Sequence, residues 1–396
     1  MKGAVMDNIN PQHGTDLGPL EPILADPDVM EILVNGPDHI YVERRGRLER
    51  VESRFRDEAH LMEIIQNIVS KVGQRADESN PIVDARLADA SRVHVVVPPI
   101  ALTGPSLTIR KLFNRPISIE NLIEWGSISA DMVEFLRACV QARVNIVVSG
   151  GTGSGKTTLM NVLCGFIPAD ERIVVLQQDA ELRLPHEHQV VLETRPPNLE
   201  GRGEVTMRQL VQSAVKMRPD RIIVGELRGG EALDILQAMN TGHDGSMVTL
   251  HASSPRDALA RLEMMALMGG MDIPVRTLRE QMASAINLIV QIERLQDGAR
   301  RVVKVAEVLG AHGDIIATQD IFEFVVTGVK EDGKLAGEFV SNGHVPTFIQ
   351  RIQTAGIQLP AAMFTPTRDF THPLPPIPPL PPIPPLPPVP PHPRRR

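Results

Sequence analysis

A glycine-rich segment near the middle of the chain has residue types and spacing that suit phosphate binding. Eight consecutive residues match G-x-x-x-x-G-K-[ST] in full: Gly150, Gly151, Thr152, Gly153, Ser154, Gly155, Lys156 and Thr157. Glycines let the backbone curl so that amide hydrogens point at phosphate oxygens, and a helix N-terminus adds positive potential. We predict that these residues and Thr158 bind ATP, with Lys156 at the β- and γ-phosphates and Thr157 on Mg²⁺.

The segments on either side of this loop are those that a P-loop requires. An apolar run at 146–148 predicts a strand before it, and Leu159, Met160 and Val162 predict a helix after it. The alternative is a glycine-rich turn that matches the motif by chance. Because strand, loop and helix occur in the required order, we interpret the segment as a nucleotide site.

Two further polar residues follow apolar, strand-like runs. Glu226 follows 222–225, and we expect that strand to lie beside the P-loop strand, so that Glu226 reaches the phosphates at the carboxyl edge of a parallel sheet. There it polarises water or holds the Mg²⁺ shell, the alternative being a helix cap. His251 follows 247–250 and is interpreted as a γ-phosphate sensor or, alternatively, as a structural histidine.

Positioning these groups requires an α/β framework in more than one domain, as the 396-residue length also suggests. We predict a disordered lead-in at 1–16, an N-terminal mixed α/β domain at 17–112 and a hinge at 113–130. An ATPase domain at 131–364 follows, in which alternating strand and helix patterns predict a mostly parallel central sheet.

The N-terminal domain is predicted from short periodic patterns. Strands are expected at 32–34, 40–42, 92–97 and 106–110. Apolar residues at helical spacing predict one amphipathic helix: Leu61, Ile64, Ile65, Ile68 and Val69. The second domain is expected to open with a helix from about Asp131, capped by Ser129.

Composition narrows the class of protein. The net charge of −7 counts against a nucleic-acid-coating protein, which needs an excess of Lys and Arg. Cys139 and Cys164 have neither metal-ligand spacing nor a local partner. We therefore expect no disulfide framework, which suits a reducing compartment. The sequence has no apolar run of roughly 20 residues and no signal-peptide pattern near Met1, so we expect a cytoplasmic protein.

The segment 365–396 differs in kind from the rest. Apolar residues separated by Pro-Pro recur every third position: Leu374, Ile377, Leu380, Ile383, Leu386 and Val389. This is the polyproline II period, so they line one stripe of an extended rod. We predict either a disordered tail or a docking arm whose stripe enters an aromatic-lined groove, while Arg394 to Arg396 contact anionic lipid or an acidic partner.

The motifs together resemble the type II/type IV secretion ATPases, and within them the CpaF-type ATPases of Tad pilus systems. Besides the P-loop, the resemblance rests on 218–232 (RPDRIIVGELRGGEA) and on 241–252, with its TGHDGS and TLHA. Shorter matches occur at 31–36, 105–111 and 193–198. The resemblance extends over about 17–364.

The resemblance implies a hexameric ring at the cytoplasmic face of the inner membrane. Each subunit has an N-terminal domain hinged to a RecA-like motor domain, and hydrolysis drives pilin polymerisation or secretion through inner-membrane platform proteins. Glu226 becomes the Walker B carboxylate and His251 the His-box residue. Arg92 and Arg110 match the N-terminal-domain arginines of the family, which are expected to close on the phosphates, and Arg228 matches another family arginine directly after the Walker B strand. The alternative for each of the three is a surface ion pair.

The chain departs from this family at 177–178, where members usually carry Glu-Asp and this chain has Gln177 and Gln178. Glutamine keeps the shape but cannot accept a proton or add negative charge near Mg²⁺. Gln177 is therefore interpreted as orienting water while Glu226 supplies charge, with Asp179 on the same face. The alternative is a degenerate ATP-binding paralogue that scarcely hydrolyses ATP. A DNA or RNA motor on the same core is a third interpretation, against which the acidic balance counts, so no nucleic acid is expected.

Overall fold

The computed structural model describes residues 17–44, 47–89, 91–111, 117–198 and 201–367. The chain divides into a first unit that ends at Pro116 and a second that begins at Ile117. The predicted lead-in at 1–16 and positions 368–396 of the predicted tail lie outside the described residues.

The first unit is built around an antiparallel sheet. Its described strands are β1 (Val29–Asn35), β2 (Ile40–Arg44), β3 (Arg47–Val51), β4 (Ile82–Arg86), β5 (Arg92–Val96) and β6 (Ser106–Arg110), in the spatial order β3-β2-β1-β6-β5-β4. Helix α1 (Glu21–Ala25) precedes the sheet, and α2 (Glu58–Ser70) packs its predicted apolar face into the core. The predicted strands and the amphipathic helix are thus confirmed.

Two of the predicted arginines are direct neighbours across this sheet. Arg92 on β5 pairs in register with Arg110 on β6. Arg86 on β4 lies opposite Arg92 on the other side, and Glu31 on β1 lies opposite Arg110. Burial raises the pKa of Glu31, although Arg110 acts in the opposite sense. Successive side chains of a strand point to opposite faces of the sheet. The four charged residues therefore lie on the face opposite to the one where Val93 and Ile109 are buried.

The second unit contains a larger sheet with helices on both faces. Its described strands are β7 (Ile146–Ser149), β8 (Ile173–Gln177), β9 (Gln189–Glu193), β10 (Arg221–Val224), β11 (Met247–Leu250), β12 (Leu288–Arg294), β13 (Arg300–His312), β14 (Ile315–Val329) and β15 (Leu335–Ser341). Its described helices are α3 (Ile119–Glu124), α4 (Ala130–Gln141), α5 (Lys156–Cys164), α6 (Met207–Ala214), α7 (Glu231–Asn240), α8 (Pro255–Met268), α9 (Val275–Ala285) and α10 (Ile349–Thr354). Single 3₁₀ turns occur at Gly18–Leu20 in the first unit and at Val215–Met217 and Ala361–Phe364 in the second.

The strand order is β15-β14-β13-β12-β7-β11-β10-β8-β9. The segment from β12 to β9 is parallel, and β13, β14 and β15 extend it antiparallel. Successive residues of β7 serve opposite faces: Val148 joins the core under α4 and α5, and Val147 the core under α7 and α8. The predicted mostly parallel central sheet is confirmed.

One predicted neighbour relation is wrong. Strand β10, which leads to Glu226, does not lie beside the P-loop strand β7, because β11 lies between them. Both β10 and β11 have four residues, three of them apolar, and both are fully buried, so composition gives no reason to prefer either as the neighbour of β7. The strand that leads to His251 therefore adjoins the P-loop strand.

Residues 117–130, predicted as a hinge, fold with the second unit. Ser118 caps α3, and Leu122 and Ile128 are buried in the core shared with α4. Ser129 caps α4 as predicted, its side chain accepting a hydrogen bond from the Met132 amide. Six residues are too few for the periodicity of α3 to stand out, so the sequence pattern does not distinguish this segment from a connector.

No helix within the described ranges is long and apolar enough to cross a bilayer.

Candidate active site

The P-loop joins β7 to α5 in a conformation that depends on glycine. Gly153 and Gly155 have φ of 70° and 101°, in the left-handed region. At Gly150 a Cβ atom would lie 2.2 Å from the Ile292 carbonyl oxygen. The Ser154 hydroxyl is buried and finds no hydrogen-bond partner among the described residues. A glycine cradle with an unsatisfied polar atom fits a phosphate ligand.

Lys156, the first residue of α5, is folded back onto this loop. Its Nζ donates to the carbonyl oxygens of Gly150 at 3.1 Å and Gly151 at 3.0 Å, and it lies 3.3 Å from His251 Nδ1. Burial lowers the pKa of Lys156, opposed by the nearby carboxylates of Glu226 and Glu181. The ammonium is thus held at the mouth of the cradle by weak acceptors that phosphate oxygens can replace.

His251 connects Lys156 to Glu226. Its Nε2 lies 2.5 Å from Glu226 Oε1, while Nδ1 faces the lysine. A neutral ring that donates from Nε2 and accepts at Nδ1 satisfies both contacts. Burial and then Lys156 lower the pKa of His251, opposed by Glu226, which favours that neutral ring.

Arg228 binds the other oxygen of the same carboxylate. Its Nε donates to Glu226 Oε2 at 2.5 Å, and its Nη1 donates to Gln178 Oε1 at 2.9 Å. The side chain is 54% exposed, so it remains accessible to a ligand. Three of the predicted residues, Glu226, His251 and Arg228, therefore form one cluster with Lys156.

The predicted Mg²⁺ ligand Thr157 has an acidic neighbour that the sequence analysis did not assign. The Thr157 hydroxyl donates to Glu181 Oε2 at 3.0 Å. Hydroxyl and carboxylate oxygens are ligands that Mg²⁺ prefers, usually with phosphate oxygens and waters completing the shell. No group of three His, Cys, Asp or Glu residues that could hold a metal occurs in the described part of the chain. The donors present thus suit a metal that is held mainly through phosphates.

Gln177 is not brought into this cluster. Its side chain is buried, its Oε1 accepts from the Leu182 amide at 2.9 Å, and its Nε2 lies 3.5 Å from the Leu182 carbonyl oxygen. The carboxamide thus clamps the backbone of the loop that carries Glu181. These contacts do not support the prediction that Gln177 orients water, and they explain why an uncharged side chain fits there.

Other contacts that hold the site together come from residues that the sequence did not single out. Gln291 on β12 accepts from the Ser149 hydroxyl and donates to the Ala252 carbonyl at 3.2 Å, which ties the P-loop strand to the residue after His251. Arg300 donates from Nε to the Gly153 carbonyl at 2.9 Å. Neither residue belongs to a recognisable motif, because each comes from a strand that is distant in the sequence from the P-loop.

Thr152 and Thr158 occupy the predicted P-loop positions: Thr152 is exposed in the loop, and Thr158 is half-buried on α5. Arg92 and Arg110 belong to the first unit, as described above. Their approach to the phosphates stays a prediction.

The parallel sheet, the glycine cradle at the end of β7 and the acidic group after β10 define a P-loop NTPase with a RecA-like domain. More specifically, the chain belongs to the type II/IV secretion system protein family, whose model matches residues 13–324. It is an ATPase of this family.

Similar proteins include type IV secretion components. The chain is 38% identical over 315 residues to type IV secretion system protein PtlH of Bordetella pertussis, covering 72% of this chain and 92% of that protein. It is 33% identical over 321 residues to type IV secretion system protein VirB11 of Bartonella henselae, covering 71% and 89%. The crystal structure of the pilus retraction motor PilT with bound ADP matches with a TM-score of 0.54 at 19% identity, over 76% and 83% of the two chains, and supports the fold.

Proposed function

We propose that the chain is an ATP-hydrolysing motor subunit of a bacterial secretion or pilus-assembly machine, of the Tad type. The observation that carries the proposal is the continuous contact from Lys156 through His251 to Glu226. It joins Lys156, which would bind the terminal phosphates, to Glu226, which would act on the attacking water, across the ends of the three neighbouring strands β7, β11 and β10.

In the first stage of the reaction the P-loop binds the triphosphate. Amides of 150–156 and the Lys156 ammonium replace the internal contacts of the loop with contacts to phosphate oxygens. Mg²⁺, held by Thr157 with Glu181 beside it, would neutralise charge on the β- and γ-phosphates.

We propose that Glu226 accepts a proton from the attacking water. Its two oxygens are held by His251 and Arg228, so the carboxylate is oriented before the nucleotide arrives. When Lys156 leaves the His251 ring for the phosphates, Nδ1 loses its donor. His251 therefore registers whether phosphate is present.

The arginines supply positive charge as charge spreads over the transferring phosphoryl group. Arg228 acts from beside Glu226, and we propose that Arg92 and Arg110 are brought in by movement of the first unit. An arginine added to the site in this way stabilises the transition state electrostatically.

We further propose a homo-hexamer at the cytoplasmic face of the inner membrane, acting on inner-membrane platform proteins. Family membership and the similarity to PtlH and VirB11 support this placement. Nucleic acid is not expected as a partner, given the acidic balance of the chain.

One observation favours a second candidate, a ring subunit that binds ATP and hydrolyses little of it. Gln177 occupies a position where the family usually has a carboxylate, and its amide is engaged with Leu182. Loss of a general base lowers turnover by about 10²–10⁴-fold. Glu181 and Glu226 retain carboxylates near the loop, which is why the active motor is preferred.

Steady-state ATPase of the purified full chain with Mg²⁺ tests the choice. The motor proposal predicts turnover that Lys156→Ala and Glu226→Gln each abolish, with nucleotide binding retained in Glu226→Gln. Tight ATP binding without turnover supports the second candidate. Turnover that requires single-stranded DNA contradicts both.

A further inference from the structure

The only tryptophan of the chain is exposed on the second unit. Trp125 follows α3 directly and is 56% exposed, and its neighbour Ile123 is 38% exposed. Glu120 and Glu124 are also exposed, and positions 120, 123 and 124 share one face of the helix because they are three and four residues apart. An aromatic ring flanked by carboxylates distinguishes this surface, which we call the Trp125 surface.

The chain itself contains a segment of complementary chemistry. Residues 372–396 have a Pro-Pro-apolar repeat followed by Arg394, Arg395 and Arg396, and no acidic residue. Proline-rich helices bind flat aromatic side chains because they are already extended and lose little entropy on binding. Arginines add cation–π contacts to tryptophan and ion pairs to glutamate.

A second apolar surface is a poorer match. Met264, Met268 and Met271 are exposed at the end of α8 and after it. This surface has no aromatic residue, and Arg261 lies one turn before Met264 on the same helix. It therefore lacks both features that a proline- and arginine-rich ligand selects.

The anchoring of Thr367 bears on which copy of the chain supplies residues 372–396 to the Trp125 surface. Thr367 is held against β15, its amide donating to Ser341 O at 3.2 Å and its hydroxyl accepting from the Ser341 amide at 3.0 Å. In the extended form Arg394 lies about 80 Å from Thr367, at roughly 3.1 Å per residue. A compact folded unit with the number of residues of the second unit is only about 45 Å across. If the segment is straight, its arginines therefore lie beyond the folded unit that carries them, which is why we argue for a second copy as the recipient.

We propose that residues 372–396 of one copy of the chain bind the Trp125 surface of a second copy. The stripe and prolines pack on Trp125 and Ile123, and the arginines pair with Glu120 and Glu124. This goes beyond the proposed ATPase function, and it makes the tail a connection between subunits that needs no nucleotide.

Cross-linking distinguishes whether residues 372–396 bind the Trp125 surface of a second copy or that of their own copy. Cys139 and Cys164 are buried, and burial raises the pKa of both thiols, so both react poorly. Protein carrying Glu124→Cys is mixed with protein carrying Val389→Cys and treated with a short bis-maleimide. We expect a covalent dimer of the two different chains. The yield of this dimer should fall at least about tenfold when the chain with Val389→Cys also carries Arg394→Ser, Arg395→Ser and Arg396→Ser. Met268→Cys in place of Glu124→Cys is the matched control and should give little product.

Tryptophan fluorescence provides the second readout, since emission reports Trp125 alone. In wild type at micromolar concentration we expect blue-shifted emission and weak iodide quenching. The triple arginine variant should show the red-shifted, quenchable emission of an exposed ring. If Trp125 is equally protected in both while the oligomeric state is unchanged, a subunit interface other than the tail covers it, which contradicts the proposal. A cross-link formed only within one chain when both cysteines are in the same molecule, or no cross-link, also overturns it. ATPase activity in dilute solution should be unchanged, so failure here leaves the motor proposal untouched.

Discussion

The hydroxyl of Thr157 donates a hydrogen bond to Glu181 at 3.0 Å, which places a carboxylate at the P-loop position that binds Mg²⁺ in this class of protein. Glu181 comes from the loop after β8, and that loop is fixed by the contact of Gln177 with Leu182. The two features belong together, because the clamp determines where the carboxylate lies.

Replacing Glu181 tests this relationship. For Glu181→Gln we expect the Mg²⁺ concentration at half-maximal ATPase to rise and kcat to fall roughly 10–100-fold, since a charge near the metal is lost. Metal titration of steady-state ATPase measures both. The exposed Glu187 in the same loop region provides the control: Glu187→Gln should match wild type. An unaltered metal dependence in Glu181→Gln contradicts the assignment.

Gln177→Glu should lower stability without raising activity. The carboxylate can still accept from the Leu182 amide but loses the donor to the Leu182 carbonyl, and it places a charge at a buried position. We expect a loss of about 1–3 kcal/mol in the free energy of unfolding. Urea unfolding measures this beside ATPase assays. A tenfold gain in turnover shows instead that Gln177 stands at the water-activating position.

His251 should couple phosphate binding to hydrolysis. In His251→Ala the link between Lys156 and Glu226 is removed, and we expect kcat to fall about 10²-fold with a smaller change in ATP affinity. Single-turnover kinetics with radiolabelled ATP separate binding from chemistry. If kcat remains within twofold of wild type, His251 has a structural role only.

The lowered pKa of His251 predicts a specific pH dependence. Between its folded pKa and its ordinary value of about 6.5, the unfolded chain binds a proton that the folded chain does not. Its contribution to stability is therefore fully present above about pH 6.5 and is lost as pH falls through the lower folded pKa. We expect the free energy of unfolding to fall less between pH 7 and pH 5.5 in His251→Gln than in wild type. Parallel curves for the two proteins contradict this.

A buried ion pair should contribute more to stability than an exposed one. Arg221 is fully buried, pairs with Glu171 and donates to the Val140 carbonyl. Glu171→Gln leaves its charge unbalanced, and we expect a loss of about 3–5 kcal/mol. Glu280→Gln, which removes the exposed pair with Arg276 on α9, should cost less than about 0.5 kcal/mol. Thermal unfolding of both variants measures the contrast.

The sequence predicted those parts of the fold and site that are encoded locally. The P-loop is contiguous, so its glycines, Lys156 and Thr157 were assigned from spacing alone, and the cap at Ser129 was found because capping depends on adjacent residues. Glu226 and His251 were assigned because each follows an apolar, strand-like run, and the family resemblance then gave them the Walker B and His-box roles. Strand neighbours depend on long-range packing, which the local sequence does not encode. For that reason β10 was predicted beside β7, where the structure has β11.

Side-chain direction was the second thing that the sequence could not provide. Gln177 lies at the expected strand end, yet its amide turns toward Leu182, whereas Glu181 turns toward Thr157. Both orientations depend on the course of an irregular loop. Gln291 and Arg300 were missed because they reach the P-loop region from strands more than 130 residues later in the chain.

The position of β11 has a mechanical consequence. His251 directly follows β11, and Ser254, the N-cap of α8, comes only three residues later. A shift of the histidine ring when Lys156 leaves it therefore acts through only two intervening residues, Ala252 and Ser253, on the N-cap of a fourteen-residue helix. A small rotation of α8 about its N-terminus would move its far end further than its base, so this helix is suited to carry the chemical step outward as motion.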